Sequence, residues 1–431
     1  MTVANVCRVI GVLDNGVAGL SASALQALQE AQLVIGSRRV LEQFQAILSH
    51  DMECRDLTGR LQAVVQWIVT AQDEGRRVVV LASGDPLCYG IGSYLIERLG
   101  KAAIEILPNI SSLQLACSCL GQPWQDMKIV SVHARNSGEW IMGAGPEHAL
   151  YPVLQAVGRD SLVGILTSPA NTPDRLARLL MSEGLAQDVE MAVAECLRQP
   201  EQRIHDWAPV ADFSQRHFAD PNVVLVRRYK TAGQIRFGFP DTYYHQRKPD
   251  KGLITKREVR AVSLALLQLT ERSVVWDIGA GSGSVGLEAA RLCPDGHVYA
   301  IEKNEEDVRI AGTNRLAMRV TNYTLVQGKA PLGLDAWPVP NAVFIGGSGG
   351  ELRELMRYCL DRLADFGMLV MNFVTLENLA LACEVLRACG LSWEVTQLQA
   401  ARSRPILDMH RLQAENPVWI VAVIKTPRVE E

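Results

Sequence analysis

The chain has 431 residues, of which 48% are apolar and 21% are charged, and its formal net charge is −4. This composition excludes a disordered or fibrous protein, and a chain of this length is expected to form roughly two or three domains. The acidic balance argues against a nucleic-acid partner, because such proteins usually carry a basic stripe that neutralises phosphates.

The N-terminal residues lack the features of a secretory signal, and no uncharged apolar run approaches the roughly 20 residues that span a bilayer. The ten cysteines include no C-x-x-C pair, and no Cys/His cluster has the spacing of a zinc site. We therefore expect a cytoplasmic protein that has no membrane partner and binds no metal.

Short β-branched runs alternate with amphipathic helical segments along nearly the whole chain. This alternation is typical of an α/β fold with largely parallel sheets. In the first half the pattern predicts strands at Arg8–Leu13, Val78–Leu81, Ile104–Leu107, Lys128–Val132, Leu162–Leu166 and Val223–Arg227. The predicted helices there are Ser23–Glu30, Leu61–Asp73, Gly92–Leu99, Ser112–Leu120 and Thr172–Gly184.

Two polar loops of the first half each follow a strand and precede a helix. Their residues are Ser83, Gly84, Asp85 and Pro86 in the first loop, and Ile110, Ser111 and Ser112 in the second. We expect these loops to face one another across a cleft. The Gly-Asp-Pro sequence also marks ordinary turns, so a purely structural turn is an equal alternative.

The pattern breaks between Tyr229 and Gly252, where turn-rich polar sequence predicts a domain boundary. A second α/β unit follows. Thr255 and Glu258 have the spacing of a capping box, which predicts a helix through about Leu269. The next predicted strands are Ser273–Ile278, His297–Glu302, Tyr323–Gln327 and Ala342–Ile345, and the predicted helices are Val285–Leu292 and Glu305–Met318.

The second unit contains a glycine-rich loop between its first strand and the next helix. Gly279, Gly281 and Gly283 stand at alternate positions, which allows a tight turn with positive φ before the exposed amides of a helix N-terminus. Glu302 ends the following strand, where a carboxylate can accept hydrogen bonds from a ribose. The pattern predicts an adenosine-binding loop, and a merely structural turn is the alternative.

The loop also satisfies the dinucleotide fingerprint, through Gly281, Gly283 and Gly286. Asp277 favours S-adenosylmethionine instead, because dinucleotide binders usually have an apolar residue at this position and an acid there can help to hold the methionine end. The segment Asp277–Gly286 resembles the first motif of class I methyltransferases. The further cofactor contacts predicted on this resemblance are Thr255, Ala280, Ser282, Lys303, Gly328, Lys329, Ala330 and Gly346.

The two halves resemble two different families of cobalamin biosynthesis. The segments Gly11–Leu20, Leu33–Leu41, Ser83–Gly92, Pro108–Ser112 and Trp124–Arg135 are similar to tetrapyrrole methylases. The segments Thr255–Arg260, Asp277–Gly286, Gly346–Ser348 and Asn372–Leu376 are similar to the class I enzyme of the same pathway. Together they resemble the fused precorrin-6B C5,15-methyltransferase (decarboxylating) family. The sequence departs from the pattern at Asn109, where glycine is frequent, and at Lys329, where an acid is common.

The resemblance implies a two-lobed tetrapyrrole methylase fold over residues 1–230, a linker over 231–254, and a Rossmann-like class I methyltransferase fold over 255–431. The first domain would methylate carbon 5 of precorrin-6B or its cobalt form. The second would methylate carbon 15 and remove carbon dioxide from the ring C acetate. One S-adenosylmethionine is expected per domain, and the family resemblance suggests a homo-oligomer.

The substrate carries several carboxylates, so its pocket is expected to contain cationic side chains. The candidates are Lys256, Arg257, Arg402, Arg404 and His410, for each of which a surface role is an equal alternative. No general acid or base is assigned, and the catalytic candidates are Asp85 and Asn372. For Asp85 a role in shaping the loop or contacting the cofactor is favoured over proton transfer.

Three alternatives remain at this point. The first half can be a catalytically inactive module that binds the tetrapyrrole for its partner domain. The chain can be a class I methyltransferase that acts on RNA or protein, with the first half as a recognition module. It can also be a dinucleotide-dependent reductase, which NADPH binding would reveal.

Overall fold

The computed structural model describes residues 6–133, 136–229, 235–247 and 254–427. The chain forms two compact units. Unit 1 comprises Met1–Asn136, Asp160–Arg178 and Val189–Tyr229, and unit 2 comprises Ser137–Arg159, Leu179–Asp188 and Lys230–Glu431. Residues 231–234 and 248–253 of the expected linker, and residues 134–135 at the end of the Trp124–Arg135 segment, lie outside the described residues.

Unit 1 begins with a parallel five-stranded sheet in the order β3-β2-β4-β1-β5. Its strands are β1 (Cys7–Val12), β2 (Leu33–Gly36), β3 (Glu53–Asp56), β4 (Val78–Ser83) and β5 (Ile104–Leu107). The helices between them are α1 (Ala22–Gln29), α2 (Arg38–Phe44), α3 (Leu61–Asp73) and α4 (Ile91–Leu99). Helices α3 and α4 cover one face and α1 and α2 the other. Successive strand residues such as Val9 and Ile10 therefore enter different cores.

The second sheet of unit 1 has the order β6-β7-β10-β8-β9. Strands β6 (Met127–Ser131) and β7 (Leu162–Leu166) are parallel. The remaining neighbours are antiparallel, and they comprise β8 (Val189–Glu195), β9 (Arg203–Pro209) and β10 (Asn222–Arg228). Helix α5 (Ser112–Cys119) packs on this sheet through Leu113 and Cys117. Two more helices lie in this part of the sequence, α6 (Tyr151–Arg159) and α7 (Pro173–Ser182).

Unit 2 is built on a seven-stranded sheet in the order β13-β12-β11-β14-β15-β19-β16, in which β19 is antiparallel to both of its neighbours. The strands are β11 (Val274–Ile278), β12 (His297–Glu302), β13 (Tyr323–Gln327), β14 (Ala342–Ile345), β15 (Met368–Phe373), β16 (Trp393–Leu398) and β19 (Val418–Ile424). A separate hairpin is formed by β17 (Ala401–Ile406) and β18 (Met409–Ala414).

Helices cover both faces of this sheet. They are α8 (Arg257–Leu266), α9 (Ser284–Leu292), α10 (Glu305–Ala317), α11 (Leu352–Arg362) and α12 (Leu376–Ala388). Helices α8 and α9 bury apolar side chains against one face, and α11 and α12 against the other. None of the described helices has the length and apolar character that a membrane span requires.

The predicted elements agree with these bounds residue for residue in α3, β5, β7, β12, β13 and β14. The predicted capping box is wrong. Helix α8 begins one residue after Lys256, and no side chain caps it. The N-cap position is occupied by Lys256 and not by Thr255, and the Glu258 carboxylate pairs with Arg402.

Two segments from the first half of the sequence belong to unit 2 and are fixed there by buried polar contacts. Glu183 is 2% exposed and accepts hydrogen bonds from Trp140 Nε1 at 2.7 Å and from Arg315 Nη2 at 2.5 Å. The Tyr151 hydroxyl lies 2.8 Å from His297 Nδ1. Burial lowers the pKa of His297 to about 3, so the imidazole is neutral at physiological pH.

A buried charged cluster joins α8 and the segment before it to α9. Arg260 and Glu288 are both fully buried, and Arg260 Nε donates to Glu288 Oε1 at 2.7 Å. Arg260 also donates to the carbonyls of Phe239 and Thr255, and Glu288 accepts from the Tyr244 hydroxyl. These hydrogen bonds compensate for much of the cost of removing both charges from water.

Replacing Arg260 by Met should lower the unfolding free energy of unit 2 by about 3 to 5 kcal/mol, because it leaves the Glu288 charge buried without its partner. The matched control is Arg353→Ala, which removes an exposed pair with Glu384 and should cost about 0 to 1 kcal/mol. Calorimetric unfolding of both variants measures the difference. Equal and small effects would contradict the prediction.

Candidate functional site

The glycine-rich loop of unit 2 has the backbone that its sequence predicts. Gly279, Gly281 and Gly283 have φ values of +71°, +56° and +76°. A Cβ added at Gly279 would lie 2.6 Å from the Gly347 carbonyl oxygen, so only glycine allows the loops after β11 and β14 to approach this closely. A Cβ added at Gly281 would meet no atom within 4 Å. The loop therefore has open space above its centre, where a ligand can lie against the backbone.

Glu302 lies beside this loop at the carboxyl end of β12. Its Oε2 accepts from Gly281 N at 3.0 Å, and its Oε1 accepts from Asn304 N at 2.9 Å. Each carboxylate oxygen keeps a further lone pair, so the group is held in place and can still accept hydrogen bonds from a ribose. The Gly328 amide donates to the Glu302 carbonyl, and the Gly346 amide donates to the Ile278 carbonyl. The structure thus brings these predicted contacts to one edge of the sheet.

Asp277 lies beneath the loop rather than on its open side. The residue is 1% exposed, and its Oδ2 accepts from the Gly286 amide of α9 at 3.1 Å. Its Oδ1 is buried and has no hydrogen-bond partner among the described residues. Burial raises the pKa of the Asp277 carboxyl to about 7. In this arrangement Asp277 fixes the strand end to the helix start, and its predicted contact with a cofactor remains a prediction.

The remaining predicted cofactor contacts of unit 2 lie around the loop. The Ser282 carbonyl accepts from Asn314, whose side chain also holds the backbone of His245. Lys303 and Lys329 are exposed, and a Cβ added at Gly349, in the loop after β14, would lie within 4 Å of both side chains. Lys329 forms an ion pair with Glu351 at the start of α11. Ala330 is half-buried and packs against the core on one side of the sheet.

The predicted cationic residues fall into two groups. Arg402 pairs with Glu258 and, at 2.7 Å, with Asp241, and Arg257 also contacts Glu258 at 3.4 Å. The Arg402 hydrogen bond lowers the pKa of the Glu258 carboxyl to about 2. Arg402 therefore fixes the base of the β17–β18 hairpin to α8. Lys256 is half-buried before α8, and Arg404 and His410 lie exposed on neighbouring strands of the hairpin.

Asn372, a catalytic candidate, lies on β15 and is half-buried. Its Nδ2 lies 3.0 Å from the Ser263 hydroxyl of α8, which is itself buried. The contact orients the amide toward α8. A direct role of Asn372 in the reaction remains a prediction.

Unit 1 encloses a cavity of about 910 Å³ between its two sheets. Both predicted loops line it, through Ser83, Gly84, Asp85, Ser111 and Ser112, whereas Pro86 and Ile110 do not. Both loops therefore border the same cavity, but they contact each other on one wall and do not face one another across it as predicted. The opposite wall is formed by residues at the ends of the second sheet, among them His133, Thr167 and Asn222.

Close backbone contacts at Gly11 and Gly84 bring the loops of unit 1 together. A Cβ added at Gly11 would lie 2.4 Å from the Gly84 carbonyl oxygen and 2.7 Å from Asn109 N. Gly84 has φ +67°, and a Cβ there would lie 3.4 Å from Ser111 Cα. Asn109 Nδ2 donates to the carbonyls of Gly11 and Gly19 at 3.0 and 2.9 Å. Asn109, which stands where glycine is frequent, therefore adds two hydrogen bonds between the loops.

Asp85 shapes the turn that follows β4. Its Oδ1 accepts from Leu87 N at 2.8 Å, the hydrogen bond of an Asx turn. The backbone of the turn closes with Gly92 N donating to the Pro86 carbonyl at 2.9 Å. This geometry agrees with the predicted loop-shaping role of Asp85.

Arg39 was missed by the sequence reasoning, although it lies within the segment Leu33–Leu41 that carries part of the resemblance. It lines the cavity, and its Nη2 donates to the Ser83 hydroxyl at 3.1 Å. Its Nη1 donates to Asp14 at 2.5 Å, and Asp14 is held in turn by Gln43 and Gln199. The guanidinium is half-exposed, so it is oriented on one side and can bind a carboxylate on the other.

Comparison with known proteins identifies both parts of the chain. A family described as Tetrapyrrole (Corrin/Porphyrin) Methylases matches residues 8–208, and a Precorrin methyltransferase domain matches residues 247–425. A precorrin-6Y C(5,15)-methyltransferase (decarboxylating) of Sinorhizobium is 34% identical over 414 residues, which cover 95% of this chain and 94% of that protein. This chain belongs to the precorrin-6Y C(5,15)-methyltransferase (decarboxylating) family.

Two shorter relatives come from Salmonella typhimurium. A cobalt-precorrin-6B C(15)-methyltransferase (decarboxylating) is 37% identical over 173 residues, covering 40% of this chain and 89% of its own length. A cobalt-precorrin-7 C(5)-methyltransferase is 30% identical over 220 residues, covering 51% of this chain and 98% of its own length.

Membership of the precorrin-6Y C(5,15)-methyltransferase family confirms the resemblance drawn from the sequence motifs, the α/β fold class and the assignment as an enzyme. The chain is a decarboxylating methyltransferase of cobalamin biosynthesis, and enzymes of this family use S-adenosylmethionine. The alternatives of an RNA or protein methyltransferase and of a dinucleotide-dependent reductase are thereby set aside. The alternative of an inactive first half is not.

The position of Asp277 predicts a pH dependence of stability. Because its pKa is higher in the folded chain than in the unfolded one, folding favours the protonated form, and stability is lost as pH rises from about 4 to about 7. Asp277→Asn should remove this loss. Between pH 4 and pH 8 the variant should gain about 1 to 4 kcal/mol relative to the natural chain.

Calorimetric unfolding across this pH range measures the difference. The matched control is Asp335→Asn, whose carboxylate is 85% exposed and should leave the pH profile unchanged. A profile of Asp277→Asn that runs parallel to that of the natural chain would show that Asp277 is ionised throughout.

Proposed function

We propose that the chain carries two S-adenosylmethionine sites, one in each unit, and that unit 1 methylates carbon 5 of a precorrin while unit 2 methylates carbon 15 and decarboxylates the ring C acetate. The observation that supports the proposal is that the same loop arrangement occurs on two sheets. In each unit, glycine-bearing loops meet at the carboxyl ends of parallel strands beside open space. Such edges are the usual ligand sites of α/β sheets.

The bound cofactor supplies an electrophilic methyl group on a positively charged sulfur. The protein has to align donor and acceptor carbon and to exclude water, which is the task of a shaped cavity. In unit 1 the loops around Gly84 and Ser111 hold the donor, and the cavity above them accepts the macrocycle. In unit 2 the Gly279–Gly283 loop and Glu302 hold the donor.

Decarboxylation in unit 2 follows from the charge that methylation leaves on the macrocycle. Transfer of a methyl cation to carbon 15 makes the conjugated system electron-poor. When the acetate carboxylate leaves as carbon dioxide, its bonding electron pair enters that system and cancels the charge. This step needs no metal from the protein, only a pocket that holds the macrocycle in place.

The count of sites is tested by titration calorimetry of the whole chain with S-adenosylhomocysteine. We expect two sites in the natural chain and one in each of Gly281→Val and Gly84→Val. At Gly281 a side chain would project into the open space above the loop, and at Gly84 it would press on Ser111. Gly390→Val is the matched control, because Gly390 has φ +67° with no atom within 4 Å of an added Cβ and lies after α12.

The division of labour is tested with Asp85→Ala, which removes the hydrogen bond that shapes the unit 1 loop. This variant should lose methylation at carbon 5 and retain methylation at carbon 15 and release of carbon dioxide, as measured by mass spectrometry and NMR of the product. A parallel fall in carbon dioxide release would refute the division. One binding site in the natural chain, unaffected by Gly84→Val, would support an inactive first half instead.

We also propose that the chain self-associates through the β17–β18 hairpin. The cross-strand register places the exposed residues Ala401, Ser403, Pro405, His410, Leu412 and Ala414 on one face, which carries no Asp, Glu, Lys or Arg. The other face carries three arginines, Arg402, Arg404 and Arg411. Two copies can pack their uncharged faces together, whereas the arginine faces would repel one another.

Leu412→Glu should shift the assembly toward a smaller species, because it buries two like charges in the shared face. Arg411→Glu is the matched control on the opposite face and should leave the mass unchanged. Light scattering after gel filtration measures both. A monomeric natural chain would contradict the proposal directly.

A further inference from the structure

Tyr89 has an unusual place in unit 1. It stands between β4 and α4, lines the cavity, and is 62% exposed. Its hydroxyl donates to the Ile129 carbonyl of β6 at 3.2 Å. The side chain therefore extends from a loop of the first sheet to a strand of the second and crosses one side of the cavity that the two sheets enclose.

The backbone of Tyr89 is in the left-handed region, with φ +54°. This conformation is unfavourable for a side chain with a Cβ and is readily adopted by glycine. The ring is exposed, so hydrophobic burial does not offset the cost. Residues with a strained backbone that makes no contribution to stability are concentrated at functional sites. The strained backbone of Tyr89 therefore indicates a role in ligand binding.

The cavity beside Tyr89, at about 910 Å³, is large enough for a bulky ligand. Apolar side chains line much of it, including Leu81, Ile91, Tyr94 and Leu115, and Arg39 supplies a cation near its cofactor loops. A tetrapyrrole presents two broad faces with carboxylates at its rim. An aromatic ring stacks on such a face and holds it in a fixed plane without specific hydrogen bonds.

We propose that the Tyr89 ring is the platform on which the macrocycle stacks during methylation of carbon 5, and that the hydrogen bond to Ile129 fixes the tilt of the ring. The inference rests on the proposed function of unit 1. Tyr89 is a substrate-binding residue here, and the two loops proposed to hold the methyl donor line the same cavity.

The strain at Tyr89 provides a test that separates binding from folding. Tyr89→Gly removes the ring and relieves the backbone, so the unfolding temperature should stay equal or rise while KM for the precorrin in carbon-5 methylation rises about tenfold, the loss of one stacking contact. Tyr89→Phe keeps the ring and loses only the hydrogen bond, and its KM should rise about twofold to threefold. S-adenosylhomocysteine affinity and carbon-15 methylation are the internal references, and both should be unchanged.

The possible outcomes are distinguishable. An unchanged KM in Tyr89→Gly overturns the stacking platform, and so does a lower unfolding temperature, which would make the residue a structural strap. Loss of S-adenosylhomocysteine binding would assign Tyr89 to the cofactor loop and also overturn it. If Asp85→Ala leaves carbon-5 methylation intact, the proposed function of unit 1 fails, whatever the Tyr89 variants do.

Discussion

Direct contact between backbone segments at the carboxyl ends of parallel strands is the constraint on which both candidate sites depend. In unit 1 the loop of Gly84 touches the strand end at Gly11, and in unit 2 the loop of Gly347 touches the strand end at Gly279. A side chain at Gly11 or Gly279 would separate the loops by the width of a methyl group. The amides and hydroxyls around each site therefore keep their positions only because Gly11 and Gly279 have no Cβ and let the loops come close together.

Two carboxylates, Asp277 and Glu302, hold the backbone around the unit 2 site. Asp277 joins the strand end to α9 through the Gly286 amide, and Glu302 joins the neighbouring strand to the Gly281 amide. Both carboxyl groups are buried, and burial raises the pKa of the Asp277 carboxyl to about 7. The Arg260–Glu288 ion pair joins α8 to α9, the same helix whose Gly286 amide binds Asp277. Buried polar contacts therefore hold the helix that follows the glycine-rich loop.

Several functional expectations followed directly from local patterns. Alternating glycines after a β-branched run predicted positive φ at Gly279, Gly281 and Gly283, because no other residue adopts that conformation as readily. The loop pair of unit 1 was predicted from strand ends followed by helix starts. Family membership could also be read from motifs, since two unrelated motif sets that serve one pathway rarely occur together by chance.

The partners of polar side chains were decided by tertiary structure. The capping box failed because Glu258 meets Arg402, which lies 144 residues away. Arg39 and Tyr89 were not predicted as site residues, because their place in the site depends on a cavity that only the packing of two sheets forms. By itself the sequence determined the α/β class, the glycine loops and the family, since these depend on residues close together in the chain. Only the tertiary structure decided which charges are paired and which remain open to a substrate, because those contacts join residues that packing alone brings together.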